Sequence, residues 1–157
     1  DNRLLHGQIL ETWIPKLGIE EVVVADDEAA ASELARAAMT LCVPPELPAR
    51  IVPVREVPWA ALAAKKGPVL VLVRDVAALA ASLFAGLRPE LARRVNLGNV
   101  HFAQGKKSVT PSVFLSAAEL ATVRALAAAG FEIEARAIPS ESPAGMGEIE
   151  RRYEAAP

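Results

Sequence analysis

The first eight residues, Asp1–Gln8, hold the side chains best suited to chemistry, and an apolar helical stripe follows them directly. His6 is therefore expected at a helix start, where backbone N–H groups and the positive end of the helix dipole favour an anion. Gly7 lets the backbone approach whatever His6 carries. Arg3 offers a forked cation for phosphate oxygens, and Asp1 is expected to pair with Arg3 or with the imidazole N–H. Together these residues predict a small phosphate site.

A second group of polar side chains comes directly after an apolar run. Asp26, Asp27 and Glu28 follow Glu21–Ala25, which has the composition of a strand. Ligands of open α/β sheets bind beyond the carboxyl ends of strands, so one of these carboxylates, such as Asp26, is a candidate for reaching the His6 loop. The structural alternative is that Asp27 caps the next helix while Asp26 faces water.

The segment Asn96–Lys107 is a third candidate, because it combines turn glycines with polar and basic side chains. Its candidate accessory residues are Gly98, Asn99, His101 and Lys106. The segment is either a functional loop with Lys106 and Lys107 at its tip or a solvated hairpin or crossover loop. His101 is accordingly either a phosphate ligand near His6 or a loop residue. A fourth group, Arg136 with Arg151 and Arg152, is expected to be solvated surface charge.

The elements that must position these groups follow a βα pattern. Short β-branched runs alternate with alanine-rich segments of helical period. This predicts an α/β fold with an open, mostly parallel twisted sheet, helices on both faces in three layers, and some antiparallel edge strands. The most continuous apolar run, Val69–Val73, is predicted to be the central strand. The other predicted strands are Glu21–Ala25, Arg50–Val54, Arg94–Leu97, Val109–Leu115 and Phe131–Ile138. The predicted helices are Ala29–Leu41 with Leu34, Ala38 and Leu41 on one stripe, a short helix through Trp59 and Leu62, Val76–Leu87, Leu120–Ala129 after a Ser116 capping box, and Gly147–Tyr153.

Composition sets the outer limits on function. The 157 residues include 17 basic and 19 acidic side chains, a net charge of −2, which disfavours binding of nucleic acid through bulk charge. A single domain spanning residues 1–157 is expected. No apolar stretch approaches the roughly 20 residues of a membrane span, and no signal peptide is recognisable, so a soluble protein is predicted. The single cysteine, Cys42, has no partner for an internal disulfide, which predicts a cytosolic location. Its place on an apolar helical stretch predicts a buried thiol.

The stretch Asp1–Gln8 closely resembles the motif D-x-R-[LI]-[LI]-H-G-Q. This is the active-site motif of the IIB subunits of the mannose/fructose/sorbose family of the bacterial phosphoenolpyruvate-dependent sugar phosphotransferase system. The similarity continues in order and spacing through Trp13, the Val22–Glu28 strand with its Asp-Asp turn, Asn96–Lys107 and Arg136–Pro139. It covers nearly the whole chain. His-Gly-Gln in this setting is specific, whereas Asp-Asp or Gly-Lys-Lys alone is a weak signal.

The resemblance implies a phosphoryl carrier, a protein-N(pi)-phosphohistidine–sugar phosphotransferase. Such a subunit accepts phosphate on histidine from a cytoplasmic IIA partner and passes it to a sugar bound by the membrane subunits IIC and IID. His6 matches the phosphorylated histidine, Asp1 and Arg3 match the acidic and basic positions beside it, and Gly7 and Gln8 open the following helix. No cofactor is implied, since the phosphate is covalent. The implied location is the cytoplasmic face of the membrane, through IIC and IID.

The family places a strand before the motif, whereas Asp1 is the first residue here. We therefore expect this first strand to be missing from the sequence, and without it Val69–Val73 would carry an exposed edge.

Two other functions fit the same residues. One is a binding module for a sugar phosphate or nucleotide that uses Arg3 and the helix start without turnover. The other is a metal site built from His6, His101, Asp26 and Asp27, although two histidines without close spacing are a weak metal signal.

Overall fold

The computed structural model describes residues 4–157. They form two compact units, the first ending at Leu87 and the second comprising Arg88–Pro157. Both units combine a parallel strand pair with helices, so the predicted α/β class is confirmed. The antiparallel pairs among the described residues belong to the second unit.

The first unit is built around a three-stranded parallel sheet of order β2-β1-β3. Its strands are β1 Glu21–Ala25, β2 Ala49–Val52 and β3 Val69–Val73. Its α-helices are α1 Ile14–Leu17, α2 Asp27–Ala31, α3 Glu33–Leu41, α4 Trp59–Ala63 and α5 Val76–Phe84. A π-helical turn, Ile9–Trp13, leads into α1, and a 3₁₀ turn, Val54–Glu56, follows β2. We call the continuous helical stretch of residues 7–17 the opening helix.

The central strand of this sheet is β1, which has β2 on one side and β3 on the other. Val22, Val23 and Val24 are 0% exposed, whereas every residue of β3 is half-buried. The prediction that Val69–Val73 is central is therefore wrong within this unit. An uninterrupted apolar run indicates a strand in apolar surroundings, but it reports neither how fully the strand is buried nor which strands flank it.

Helices cover both faces of this sheet, as predicted. On one face, Leu4 and Leu5 form a buried cluster with Val22 and Val24. Partly buried side chains pack against that cluster from the opening helix and from the end of α3, namely Ile9, Leu10, Ile14, Met39 and Val43. Val23, which points to the other face of β1, is 0% exposed as well, so both faces of this strand are covered. Helix α5 contacts β3 and the 3₁₀ turn.

The predicted helix Ala29–Leu41 is interrupted at Ser32. This residue is extended, and its side chain caps α3 by accepting a hydrogen bond from the backbone, a local interaction that competes with helix continuation. The predicted stripe faces outward, since Leu34 is 81% and Leu41 is 85% exposed. Cys42 is exposed as well, so the predicted buried thiol is wrong. The helical period of a sequence identifies which residues share one face of a helix. It does not show whether another element packs against that face.

The second unit contains one mixed sheet and one hairpin. Its sheet has the order β4-β7-β8, with β4 and β7 parallel and β8 antiparallel to β7. Its strands are β4 Arg94–Leu97, β5 Lys107–Thr110, β6 Val113–Leu115, β7 Glu132–Ala135 and β8 Ala144–Gly145, and its helices are α6 Ala117–Ala128 and α7 Met146–Ala155. Ser116 forms the predicted capping box with Glu119 at the start of α6.

The segment Val109–Leu115 is a hairpin and not the single strand that we predict. Strands β5 and β6 pair with each other, and the chain turns at Pro111 and Ser112. A proline cannot donate to a strand ladder, so it favours a reversal at this point. Strands β1, β3 and β4 have the predicted ends, whereas other predicted elements end earlier: β2 at Val52, α5 at Phe84 and β7 at Ala135. The short strand β8 was not predicted.

Two buried carboxylates lie at the two ends of the central strand. Glu21 begins β1 and pairs with Lys65 and Arg50. The hydrogen bond from Lys65 holds the pKa of Glu21 below its ordinary value, against burial and with help from Arg50. A carboxylate can therefore stay charged at the start of an otherwise apolar strand.

Asp26 follows the other end of β1 and has two functions in the fold. Its Oδ1 accepts a hydrogen bond from the N–H of Ala29 at 2.7 Å and so caps α2. Its two oxygens also bind the guanidinium of Arg74 at 2.6 and 2.8 Å. Burial alone would raise the pKa of Asp26, but the bonds from Arg74 and Ala29 outweigh burial and lower it. The same pairing raises the pKa of Arg74.

We predict that Asp26→Asn lowers the free energy of unfolding by roughly 3 kcal/mol, because it leaves the Arg74 guanidinium without its buried counter-charge. Asparagine still caps a helix, so the loss reports the ion pair. The matched control is Glu28→Gln, since Glu28 binds the same guanidinium at 2.6 Å but its side chain is 80% exposed against 5% for Asp26. It should cost less than about 1 kcal/mol. Equal losses in urea denaturation would contradict this assignment.

The pH dependence of stability should include a contribution from Glu21. Its folded pKa lies below the ordinary value of 4.5, so the stability that it contributes is present above that value and is lost as the pH falls through the folded pKa. We expect the free energy of unfolding to decline below about pH 5 in the wild type and to decline less steeply in Glu21→Gln. Glu46→Gln, at an exposed position, should keep the wild-type slope. An unchanged slope in Glu21→Gln would count against the ion pair.

Candidate functional site

His6 lies at the start of the opening helix, as predicted. Its carbonyl accepts hydrogen bonds from the N–H groups of Ile9 and Leu10, at 2.9 and 3.1 Å. Leu4 and Leu5, 7% and 5% exposed, anchor the chain immediately before it against β1. Because these anchors lie directly beside His6, its backbone has little freedom to move.

The His6 side chain is half-buried and its two nitrogens are not equivalent. Nδ1 is shielded from solvent, while the residue as a whole keeps part of its surface, and the next two residues, Gly7 and Gln8, are exposed. The ring is therefore not sealed inside the core. Chemistry at Nδ1 needs a rotation of the ring or a local rearrangement that uncovers this atom.

The turn after His6 is wider than an α-helical turn. The N–H of Ile14 donates to the carbonyl of Ile9, five residues earlier. Pro15 follows directly, and a proline lacks an N–H and crowds the carbonyl four residues before it, so a widened turn accommodates it. Trp13, 6% exposed, fixes this turn in the interior. Widened turns of this kind are frequent at functional sites.

Asp1 and Arg3, predicted beside His6, lie outside the described residues. The predicted phosphate site is therefore described only in part, through His6, Gly7 and Gln8.

The three acidic residues after β1 are all engaged within the first unit. Asp26 is the cap of α2 and the partner of Arg74, so the prediction that Asp27 is the cap and Asp26 faces water is wrong. Asp27 instead accepts a hydrogen bond from the N–H of Val54 at 2.9 Å. A shallow open depression adjoins these carboxylates and the start of α5, and Arg74, Asp75 and Ala78 line it. The sequence could not show this partner, since nothing in the Asp-Asp pattern indicates that Arg74 binds Asp26.

The segment after β4 is an exposed connection in the second unit. Asn99 and His101 are exposed, and Gly98 is half-buried. The backbone of Val100 holds this segment to the hairpin, because its N–H donates to the carbonyl of Ser112 at 2.9 Å and its carbonyl accepts from the N–H of Phe114 at 2.9 Å. A role for the exposed residues Asn99 and His101 therefore stays a prediction.

The two lysines of this segment hold helices and do not stand at a loop tip. Lys106 binds Glu119 at 2.7 Å. This bond, together with those from Ser116, lowers the pKa of Glu119 although burial opposes it. Lys107 begins β5, donates to the carbonyl of Ala156 at 2.7 Å and lies over the ring of Tyr153. The sequence pattern places both lysines at the tip of this segment, and only the fold brings their acceptors close to them.

The arginines of the fourth group differ from one another. Arg136 is half-buried, binds Glu134 at 2.8 Å and donates to the carbonyl of Pro139 at 3.1 Å, so its prediction as solvated charge is wrong. Arg151 and Arg152 are exposed. Arg152 also donates to the carbonyl of Val109 at 3.2 Å.

Neither a metal centre nor a membrane helix is found in the described part of the chain. Among residues 4–157, no three His, Cys, Asp or Glu side chains come together as metal ligands do, so His6, His101, Asp26 and Asp27 do not form the alternative metal site. No helix among the same residues has both the length and the apolar character to cross a membrane.

Comparison with known proteins identifies relatives over nearly the whole chain. The chain is 29% identical over 141 residues to N-acetylgalactosamine-specific phosphotransferase enzyme IIB component 2 of Escherichia coli, covering 90% of this chain and 88% of that protein. It is 25% identical over 155 residues to the mannose-specific EIIAB component of Escherichia coli. That match covers 95% of this chain but 46% of the relative, so the chain spans about half of that longer protein.

Solved structures have the same fold. The crystal structure of manxB from Thermoanaerobacter tengcongensis matches with a TM-score of 0.82 at 24% identity, covering 98% of this chain and 92% of that one. The IIBSor domain of the sorbose permease from Klebsiella pneumoniae matches with a TM-score of 0.80 at 20% identity, covering 96% and 93%. The family model described as the PTS system sorbose subfamily IIB component matches residues 1–155. With its motif, its fold and this match in agreement, the chain belongs to the sorbose-subfamily IIB components of the sugar phosphotransferase system.

Proposed function

We propose that this chain is a phosphoryl carrier that accepts phosphate on His6 from a IIA phosphocarrier and passes it to a sugar bound by the membrane subunits IIC and IID. The observation that carries the proposal is the position of His6, half-buried at the start of the opening helix and anchored by two buried leucines. The name of the mannose-specific EIIAB relative supports IIA as the kind of partner. The proposed location is the cytoplasmic face of the membrane.

The first step is transfer between two imidazoles. A nitrogen lone pair of His6 attacks the phosphorus of the phosphohistidine on IIA, so that one N–P bond forms while the other breaks and its electron pair returns to the donor ring. In the second step a sugar hydroxyl oxygen attacks the same phosphorus. The N–P bond to His6 breaks, and the hydroxyl proton ends on the released imidazole. No cofactor takes part, because the phosphate is covalently held throughout.

The residues around His6 have electrostatic roles in this scheme. The phosphoryl group brings roughly −1.5 to −2 charge. Arg3 is proposed to bind its oxygens, with Asp1 pairing Arg3 or the ring, while the N–H groups of Gly7 and Gln8 at the helix start face the same charge. Such positioning and charge stabilisation supply most of the catalysis in phosphoryl transfer. Asp26 and Lys106 are already bound to Arg74 and Glu119, so we assign them structural roles.

The chain has two histidines, which gives a matched test of the phosphorylated residue. With phosphoenolpyruvate, the general phosphotransferase proteins and a matching IIA, the wild type and His101→Gln should both gain acid-labile phosphate, whereas His6→Gln should gain none. Phosphopeptide mapping should place the phosphate on His6, and ¹⁵N NMR should identify the nitrogen. If the wild type gains no acid-labile phosphate, the carrier function is contradicted and the alternative function, a binding module, is favoured. In that case His6→Gln should retain affinity for a sugar phosphate.

The proposed role of Arg3 predicts a graded loss. Arg3→Gln removes the cation beside the transferring group and should slow phosphoryl acceptance by roughly 100-fold. Arg3→Lys keeps the charge but loses the two-pronged geometry, and it should fall between that variant and the wild type. The measurement is the initial rate of phosphorylation by phospho-IIA. Arg55→Gln, at an exposed position in the same unit, should keep the wild-type rate, and a similar loss there would indicate a general charge effect.

A further inference from the structure

The side chain of Thr12 bonds to the peptide that follows the motif. Its hydroxyl donates to the carbonyl of Gln8 at 2.6 Å. The N–H of the next residue, Ile9, donates to the carbonyl of His6 at 2.9 Å. That carbonyl and that N–H belong to one peptide group, which joins Gln8 to Ile9. The peptide is therefore held at its oxygen by Thr12 and at its nitrogen by the backbone of His6.

The bond from Thr12 lies in the widened turn, and we expect it to constrain the backbone more there than it would in a regular α-helix. In the π-helical turn a five-residue hydrogen bond replaces the four-residue one, since the N–H of Ile14 donates to the carbonyl of Ile9. At the start of the same helix the carbonyl of His6 accepts from the N–H groups of both Ile9 and Leu10. A side-chain hydroxyl then supplies an additional constraint. Because neighbouring peptide planes share a residue, fixing the Gln8–Ile9 plane also restricts the direction of the N–H groups at the helix start.

We propose that Thr12 is a positioning residue for phosphoryl transfer at His6, acting through the Gln8–Ile9 peptide. The inference rests on the proposed function. Thr12 does not touch the reacting phosphorus; it holds the backbone whose N–H groups face the developing charge. Preorganised donors of this kind cost no reorganisation at the moment of transfer, so loosening them slows the chemical step more than it weakens docking of the partner.

The test compares three variants at position 12 in phosphorylation by phospho-IIA. Thr12→Val keeps the shape and loses the hydroxyl, and kcat should fall roughly five- to tenfold, about the value of one hydrogen bond, with KM unchanged. Thr12→Ser restores the hydroxyl and should return kcat to within about twofold of the wild type. If Thr12→Val fails to fold, as judged by the near-ultraviolet circular dichroism of its tryptophans, Thr12→Ala replaces it, because alanine favours helix formation.

Thr40 provides the matched control, because its hydroxyl also bonds a carbonyl four residues earlier, that of Arg36 at 2.8 Å, in α3. Thr40→Val should leave kcat unchanged, so a loss equal to that of Thr12→Val would indicate general helix destabilisation and overturn the inference. A wild type that is phosphorylated on His6 while Thr12→Val has the same kcat would overturn the inference alone. A wild type that takes no phosphate on His6 would overturn the proposed function and the inference with it.

Discussion

The packing of Leu4 and Leu5 against β1 is the contact on which the candidate site depends. β1 is the most deeply buried strand of its sheet, so side chains that pack on it have little freedom. Two leucines placed there fix the backbone immediately before His6. The opening helix, with Trp13 in the interior, fixes the backbone immediately after it. A nucleophile can then be held in one place while part of its ring remains accessible.

A strand buried this fully creates an electrostatic problem at both of its ends, and the chain solves it in the same way twice. Glu21 enters β1 and is neutralised by Lys65 and Arg50, while Asp26 leaves β1 and is neutralised by Arg74. Removing one partner from such a buried pair costs more than the pair contributes, since a charge is left unpaired in a poorly solvated place. The pairs therefore tie connections distant in sequence to β1. Asp26 is an example. Its carboxylate lies at the end of a strand, where a ligand could be expected, but it caps α2 and binds Arg74.

The second unit uses its charges for the same purpose. Lys106 and Lys107 come from a segment that looks like an exposed basic tip in sequence, yet one holds the start of α6 and the other the end of α7. The exposed side chains on this segment include Asn99, His101, Phe102 and Gln104, and none of these four is a lysine, an arginine or a carboxylate. Recognition of a partner through this segment would therefore depend on shape and hydrogen bonding more than on net positive charge.

The sequence by itself determined the fold class, β1 and β3 with their ends, the capping box at Ser116 and the candidate nucleophile, because each depends on short-range patterns. Alternating or continuous apolar runs, cap residues and an eight-residue motif are all local. The tertiary structure alone decided that β1 and not β3 is central, that Leu34 and Leu41 face outward, and that Asp26 and Lys106 are engaged. These features depend on whether another part of the chain lies against the residue. Arg74, 48 residues from Asp26, binds that carboxylate, whereas Leu34 and Leu41 are left exposed. Burial and ion pairing depend on contacts between separate parts of the chain, and local sequence patterns do not encode those contacts.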